Sequence, residues 1–338
     1  MAFSNTYDVA NTGSAVSNRE DLTDVLTILA PEETPVLSSA QKQRAMATNT
    51  EWTVDSLSTP STAGIIEGED VVTHTDQFAG RARMGNFTQK FRRDYKVSDL
   101  QEAVESVGPA RIAQAEAKAI RELKRDIEAT LCSANIKQPA GTTTPYEMTG
   151  LGGFIDSAAA DTTVPAGFKT PASSIYTTAE AAAAGGAFSE TAFNDIISSI
   201  FEVNGVSNGL VLVADVGLRR VISDFARLST VSTETSIRNV NYDGGVAAIK
   251  LSVELYQSDH GVVSIVNANP DCMPNFGGTT ANSSGYLVNP EYYGVHELIP
   301  MGSTRQLNNG GGERGFVDCA LTLGVYHPQA HGLIQDVK

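Results

Sequence analysis

The chain has 338 residues, of which 41% are hydrophobic, and its formal net charge is −15. This composition supports a sizeable globular core. No stretch is apolar for long enough to span a membrane. The excess of acidic residues argues against a protein that binds DNA through a basic face. The first residues lack the basic segment followed by an apolar stretch that is typical of a secretory signal. Three dispersed cysteines form neither a disulfide framework nor a zinc motif, which favours inert buried thiols: Cys132, Cys272 and Cys319.

The first 31 residues divide into a polar segment and one short helix. Residues 1–18 are small and polar without periodicity, which predicts an extended arm. Asn18 is a suitable cap for a helix from Arg19 to Leu29, whose apolar residues recur at helical spacing, and Pro31 ends it. A helix this short is marginal in water by itself, so we expect it to dock on another part of the protein.

Residues 48–98 have the pattern of a long two-stranded β-arm. The run from Thr50 to Leu57 predicts a strand with Trp52 on one face, and a Ser/Thr/Pro/Gly-rich stretch then leads to the acidic tip 67–70. A second extended run returns over residues 85–97. Because an isolated two-stranded ribbon is barely stable in water, this arm needs neighbours.

The two halves of this β-arm carry opposite charge. Residues 51–76 contain six acids and no base, whereas residues 81–96 contain six bases and one acid. Two interpretations are open: the charges pair across the strands of one hairpin, or they make complementary contacts between adjacent copies of the chain. The second interpretation singles out these candidate contact residues: Trp52, Glu67, Glu69, Asp70, Arg81, Arg83, Arg92 and Arg93.

The strongest local signal is a helix over residues 109–134. Pro109 suits a first helical turn, and the segment from 110 to about 131 is rich in strong helix formers. Charge pairs one turn apart, Lys118 with Glu122 and Lys124 with Glu128, add weak support. The apolar residues form one stripe that must face a core: Ile112, Ala119, Ile120, Leu123, Ile127 and Leu131.

A helix–strand–helix unit follows the loop-rich stretch 137–188. Ser189 caps a helix to about Val203, residues 209–214 form a short buried strand, and Asp215 caps a helix that reaches Phe225. Later strands are predicted at the alternating run 249–255, at the buried run 262–266 and at the long alternating run 317–325. Together the elements indicate an α+β protein.

No arrangement of residues indicates catalysis or cofactor binding. There is no phosphate-binding loop and no nucleophile elbow, and the glycine-rich run 310–315 is typical of a turn. His327 and His331 are four residues apart, but Pro328 interrupts the helix that such a metal pair would need. We therefore predict no catalytic, cofactor or metal site.

The order of these elements resembles the HK97-like (Johnson) major capsid fold of tailed bacteriophages. Two N-terminal stretches, Arg19-Glu-Asp-Leu-Thr-Asp24 and Pro31-Glu-Glu-Thr-Pro35, and the later Met148-Thr-Gly-Leu-Gly-Gly-Phe-Ile155 are similar to segments of one such capsid family. The resemblance covers essentially the whole chain. It implies an N-arm with a short helix at 1–47, an extended β-hairpin E-loop at 48–98 lying over a neighbouring subunit, a peripheral domain with the long spine helix at 99–170, an axial α/β domain at 171–300 and a return strand to the peripheral domain at 301–338.

The resemblance also implies a structural function. The chain would be a major capsid protein, made in the host bacterial cytoplasm and found in the virion. It would assemble into hexamers and pentamers of an icosahedral head, which encloses double-stranded DNA without sequence-specific binding. The implied partners are portal, scaffolding and decoration proteins. No enzymatic activity, cofactor or membrane contact is implied.

Two departures from the family pattern limit what carries over. No lysine lies between Lys42 and Lys90, so covalent cross-linking through an arm lysine is not expected. The N-terminal segment is too short for a cleaved scaffolding region, which favours a separate scaffolding protein. Three alternatives stay open: an encapsulin-like nanocompartment shell, a tail-tube or fibre protein, and a soluble enzyme with an unrecognised site.

Overall fold

The structure is a computed structural model that describes residues 33–74, 76, 78, 80–103, 111–155, 164–177, 179–180, 188–205, 209–225, 240–243, 246–249, 253–274 and 283–337. The predicted polar arm at 1–18 and the predicted helix from Arg19 to Leu29 lie outside these residues. Within them, no helix has both the length and the apolar character that crossing a bilayer requires.

The helices, in chain order, are α1 (Pro35–Ser39), α2 (Asp99–Ala103), α3 (Arg111–Cys132), α4 (Leu151–Phe154), α5 (Glu190–Asn204) and α6 (Val216–Phe225). The strands are β1 (Gln41–Arg44), β2 (Asn49–Val54), β3 (Ala82–Phe87), β4 (Gln89–Val97), β5 (Ile175–Tyr176), β6 (Leu210–Ala214), β7 (Val240–Asp243), β8 (Val246–Ile249), β9 (Leu255–Ser258), β10 (Gly261–Asn267), β11 (Ser283–Val288), β12 (Tyr293–Gln306), β13 (Glu313–Val325) and β14 (Gly332–Val337). Short 3₁₀ turns occupy Ala166–Phe168, Ala172–Ser174, Pro290–Tyr292 and Pro328–Ala330.

A four-stranded sheet packs against the long helix α3. Its strand order is β1-β12-β13-β4, with β1 parallel to β12 and the other pairs antiparallel. The predicted helix is confirmed, and its apolar stripe faces the sheet: Leu123 and Leu131 are fully buried, whereas Ile112 and Ile120 pack at the margin. The alternation predicted for 317–325 is also confirmed, because all five apolar side chains on that face of β13 are buried.

A six-stranded sheet carries α5 and α6. Its order is β5-β14-β11-β6-β10-β9. Both predicted helices and the buried strand between them are confirmed, and the Ser189 hydroxyl caps α5 by accepting from Ala192 N at 3.2 Å. One set of strand side chains forms a core with these two helices. Another set, including Tyr286, joins the core beneath α3, where the Tyr286 hydroxyl donates to Cys132 O at 2.6 Å.

The predicted second strand of the β-arm, 85–97, is divided in two. Thr88 interrupts it by donating its backbone N–H to Thr48 O at 2.7 Å. The first part, β3, pairs with β2, but the second part, β4, pairs with β13 in the four-stranded sheet. We call β2, β3 and the intervening residues 55–81 the arm. The arm is therefore shorter than the predicted 48–98.

Three further predictions differ from the structure. The run 249–255 is not one strand: Ile249 ends β8 in a separate hairpin and Leu255 begins β9. The buried run 262–266 is a strand with only one face covered, since Val263 is buried and Val262 is 39% exposed. The stretch 301–338 does not belong to one sheet, because β12 begins before it and β14 pairs with β11 and β5.

Candidate assembly surfaces

The arm exposes apolar side chains that its own fold does not cover. Between β2 and β3, the described residues form no helix or strand, and turns occur at the acidic tip and near Phe78. Their large apolar side chains range in exposure from 61% for Phe78 to 99% for Leu57; the others are Ile65, Ile66, Val71 and Val72. A concentration of exposed apolar residues in one extended segment is typical of a surface that another protein covers.

The acidic tip lies about midway along the segment that joins β2 to β3. Glu67, Glu69 and Asp70 are exposed, and no ion pair joins them to the rest of the described chain. The tip is a turn in which Glu69 N donates to Ile66 O at 3.1 Å. The carboxylates of Glu67 and Asp70 are therefore available to a partner, whereas Glu69 Oε2 already accepts from Ile66 N at 3.4 Å.

The two arginines on the arm pair within it. Arg81 Nε lies 2.8 Å from Asp55 Oδ2, and Arg83 Nη1 lies 3.3 Å from Glu51 Oε2. The hydrogen bond from Arg81 lowers the pKa of Asp55, although both groups are exposed. For these residues the first interpretation, charge pairing across one hairpin, describes the structure.

Trp52 contributes to the subunit's own core. Its ring packs at 6.1 Å from Phe154 and at 6.2 Å, edge to face, from Tyr326. Its neighbour Val54 is buried, so this face of β2 attaches the base of the arm to the body. Trp52 thus fixes where the arm leaves the body, and its role as a contact to another copy stays a prediction.

Arg92 and Arg93 lie on β4, outside the arm, and face opposite ways. Arg93 forms a two-pronged ion pair with Asp126 of α3, at 2.5 and 2.7 Å, which raises its pKa. Arg92 points to the opposite, solvent-facing side, where its guanidinium carbon lies 6.0 Å from the Phe316 ring centroid. Of the predicted contact bases, Arg92 alone lacks a carboxylate partner among the described residues.

A buried carboxylate attaches the N-terminal side of the chain to α3. Glu128 is 1% exposed, and its two oxygens accept from Val36 N and Leu37 N, each at 2.9 Å. Desolvation raises the pKa of Glu128, and the two hydrogen bonds partly oppose that rise. The predicted pair with Lys124 is therefore wrong, because Glu128 faces the core and Lys124 faces solvent. The Lys118–Glu122 pair is present at 3.7 Å.

Buried titratable side chains elsewhere have structural surroundings. Burial raises the pKa of Cys272 to about 11 and of Cys319 to about 12, and the three thiols are free and buried. His331 is fully buried and accepts from Asn289 N at 3.1 Å, and burial lowers its pKa to about 4. Within the described ranges, no three His, Cys, Asp or Glu side chains are arranged to hold a metal ion.

Several solved structures share this architecture. The chain aligns with a chain of the capsid structure of Cyanophage P-SCSP1u at a TM-score of 0.62 and 14% identity, covering 96% of this chain and 94% of that one. It aligns with the capsid of the native GTA particle at 0.59 and 14%, covering all of both chains. It aligns with the SrpI encapsulin of Synechococcus elongatus at 0.52 and 11%, covering 96% and 94%. At these identities the likeness shows the fold, and it confirms the predicted HK97-like capsid architecture.

The fold is thus the one found in these capsid and encapsulin structures. Residues 4–338 match the family described as SU10 major capsid protein, and the chain belongs to that family. No curated protein sequence matches the chain. As a family member it is a structural protein of a capsid shell, assembled from many copies and located in the virion. The predicted capsid role is confirmed.

Proposed function

We propose that the chain is the repeating subunit of an icosahedral phage head, arranged as hexamers and pentamers around double-stranded DNA, and that it catalyses no reaction. The chain would be made in the host bacterial cytoplasm before assembly. Portal, scaffolding and decoration proteins are its expected partners. The family membership supports the shell role, and the finer statements rest on the features that follow.

The observation that carries this proposal is the exposed arm. A two-stranded ribbon is marginal in water, and this one continues into a segment whose apolar side chains stand in solvent. In a shell, the arm of each subunit would lie over its neighbour and bury that surface. The resulting contacts are heterologous, which allows them to repeat around a ring.

The sheets support a division into two domains. The four-stranded sheet with α3 corresponds to the peripheral domain, and the six-stranded sheet with α5 and α6 to the axial domain. The axial domain would meet its copies around capsomer axes. The E-loop would correspond to the arm as defined above, and residues 1–47 would form the N-arm, whose strand β1 adds to the edge of the peripheral sheet.

The charge of the chain suits a container for DNA. Non-specific binding to DNA grows with the number of phosphates that basic side chains neutralise. Because acidic side chains outnumber basic ones and the net charge is −15, the subunit as a whole should neutralise few phosphates. The shell would therefore enclose DNA without holding it tightly, and enclosure requires no sequence-specific binding.

Sedimentation and negative-stain electron microscopy of the purified protein test this proposal. We expect closed shells, or five- and six-membered rings, with or without a co-expressed scaffolding protein. A uniform monomer or dimer under both conditions would contradict the proposal and favour a soluble enzyme.

The contents of the particles distinguish the nearest alternative. The structural likeness to an encapsulin makes a nanocompartment shell the second candidate. Particles purified from the native host should contain double-stranded DNA if the phage proposal is correct. Particles filled with one folded cargo protein would favour the nanocompartment.

A further inference from the structure

The face of the four-stranded sheet that turns away from α3 carries a group of bases. The Arg93–Asp126 pair fixes the side of β4 that faces α3, so the residues alternating with Arg93 project from the other side. The unbroken register between β4 and β13 places their direct partners on that same side. We call this surface the basic face, and it consists of Lys90, Arg92, Asp94, Lys96, Arg314, Phe316 and Asp318.

The basic face has an excess of positive charge that the described chain does not neutralise. Lys90 Nζ is paired with Asp318 Oδ2 at 3.0 Å. Arg92, Lys96 and Arg314 have no carboxylate partner among the described residues, and Asp94 is the only other acid on the face. Arg314 donates to the Leu307 carbonyl at 3.4 Å. The net charge of the face is therefore positive, and its bases are exposed.

The acidic tip of the arm has the complementary character. Its three carboxylates form no ion pair within the described ranges, and no lysine or arginine occurs between Arg44 and Arg81. Apolar residues flank the tip on both sides, of which Val72 is 91% exposed. The half-buried Phe316 ring offers the basic face an apolar contact of its own.

We propose that the basic face receives the acidic arm tip of a second copy of this chain. The inference rests on the proposed assembly function, because the two copies are neighbours in a shell. The tip places Glu67 and Asp70 against Arg92 and Lys96. Single exposed ion pairs are weak, but the same contact repeats at every neighbour in a ring, and the sum decides whether the ring closes.

Charge-reversal variants with a matched control test the contact. The tip variant is E67K/D70K, the face variant is R92E/K96E, and the combined variant carries all four changes. The control, K124E/R220E, reverses two exposed bases that also lack a described carboxylate partner but lie outside the face. Circular dichroism and denaturation midpoints verify that each subunit folds, and sedimentation gives the lowest protein concentration at which rings or shells form.

We expect the tip and face variants each to raise that concentration at least about tenfold, and the combined variant to return it to near the wild-type value. An equimolar mixture of the two single variants should also assemble. In an even-membered ring with alternating variants, each reversed tip meets a reversed face and each native tip meets a native face. The control should assemble like the wild type.

Each other result overturns the contact. Single variants that assemble normally show that the tip does not use this face, and a control impaired equally shows a general charge effect. Rescue by the combined variant but not by the mixture shows that tip and face meet within one chain. In all these cases the wild type still assembles, so the proposed function stands; a wild type that never assembles removes the proposed function itself.

Discussion

Glu128 shows how one side chain can fix the course of the chain. Its carboxylate satisfies two backbone N–H groups in the first turn of α1, where N–H groups have no acceptor within the helix. The Ser39 hydroxyl adds a contact at 2.6 Å to the Tyr293 hydroxyl, so both ends of α1 are attached to the core. These contacts fix the position of α1 against α3 and the four-stranded sheet.

Replacing Glu128 with alanine should destabilise the subunit by about 2–4 kcal/mol, because two buried donors lose their acceptor. Glu128→Gln keeps one acceptor oxygen and should cost about half as much. Chemical denaturation of the unassembled subunit measures both effects. The neighbouring, more exposed Glu122→Ala serves as the control, and a Glu128→Ala effect no larger than that of the control would contradict this role.

His331 makes the stability of the subunit depend on pH. Its folded-state pKa of about 4 lies below the ordinary value of 6.5, so the unfolded chain takes up the proton first. Stability should therefore fall as the pH drops from about 6.5 towards 4, by about 3 kcal/mol from this group. His296 and His327, whose pKa values burial also lowers, act in the same direction.

The variant His331→Asn tests that contribution. The asparagine oxygen can still accept from Asn289 N, but it does not titrate in this range. We expect a lower stability at pH 8 and a smaller loss between pH 6.5 and 4 than in the wild type. The exposed His260→Asn is the control, and an unchanged pH slope in His331→Asn would exclude this residue as a source.

At the scale of elements, the sequence predicted what local periodicity encodes. The stripe on α3, the Ser189 cap of α5 and the alternation of β13 all follow from residues within one element. What it missed depends on distant partners. Glu128 was paired with Lys124 because the spacing allowed it, but the orphan N–H groups of Val36 and Leu37 lie more than 90 positions away in the chain. Likewise, only β13 explains why β4 leaves the arm.

In the turn between β12 and β13, two adjacent glycines should differ in how much their replacement by alanine destabilises the subunit. Gly312 has φ of +115°, and a Cβ there would lie 2.2 Å from Val97 O, whereas a Cβ on Gly311 would meet nothing within 4 Å. Gly312→Ala should therefore destabilise the subunit by about 2 kcal/mol or more, and Gly311→Ala by less than about 0.5 kcal/mol. Thermal unfolding of the two variants tests this, and equal effects would contradict the turn geometry.

Across the whole molecule, the candidate contact residues fall into two groups: those that pair or pack within the subunit and those that are exposed without an ion-pair partner. The sequence shows that an acidic segment is followed by a basic one, but it does not show which of these charges form ion pairs within the subunit. Arg81, Arg83 and Arg93 pair within the subunit, and Trp52 packs in its core. Only the acidic tip and Arg92 remain exposed without an ion-pair partner among the described residues. Because burial by another copy leaves no trace in one sequence, the interface could be predicted only in outline.

The central claim is that the arm is a surface for neighbouring subunits, and a cryo-electron microscopy reconstruction of the assembled particle tests it most directly. We predict that residues 55–74 lie over an adjacent subunit, with Leu57, Ile65 and Val72 buried and the acidic tip against bases of that neighbour. A particle in which these residues contact only their own subunit, or stand in solvent between subunits, would contradict the claim.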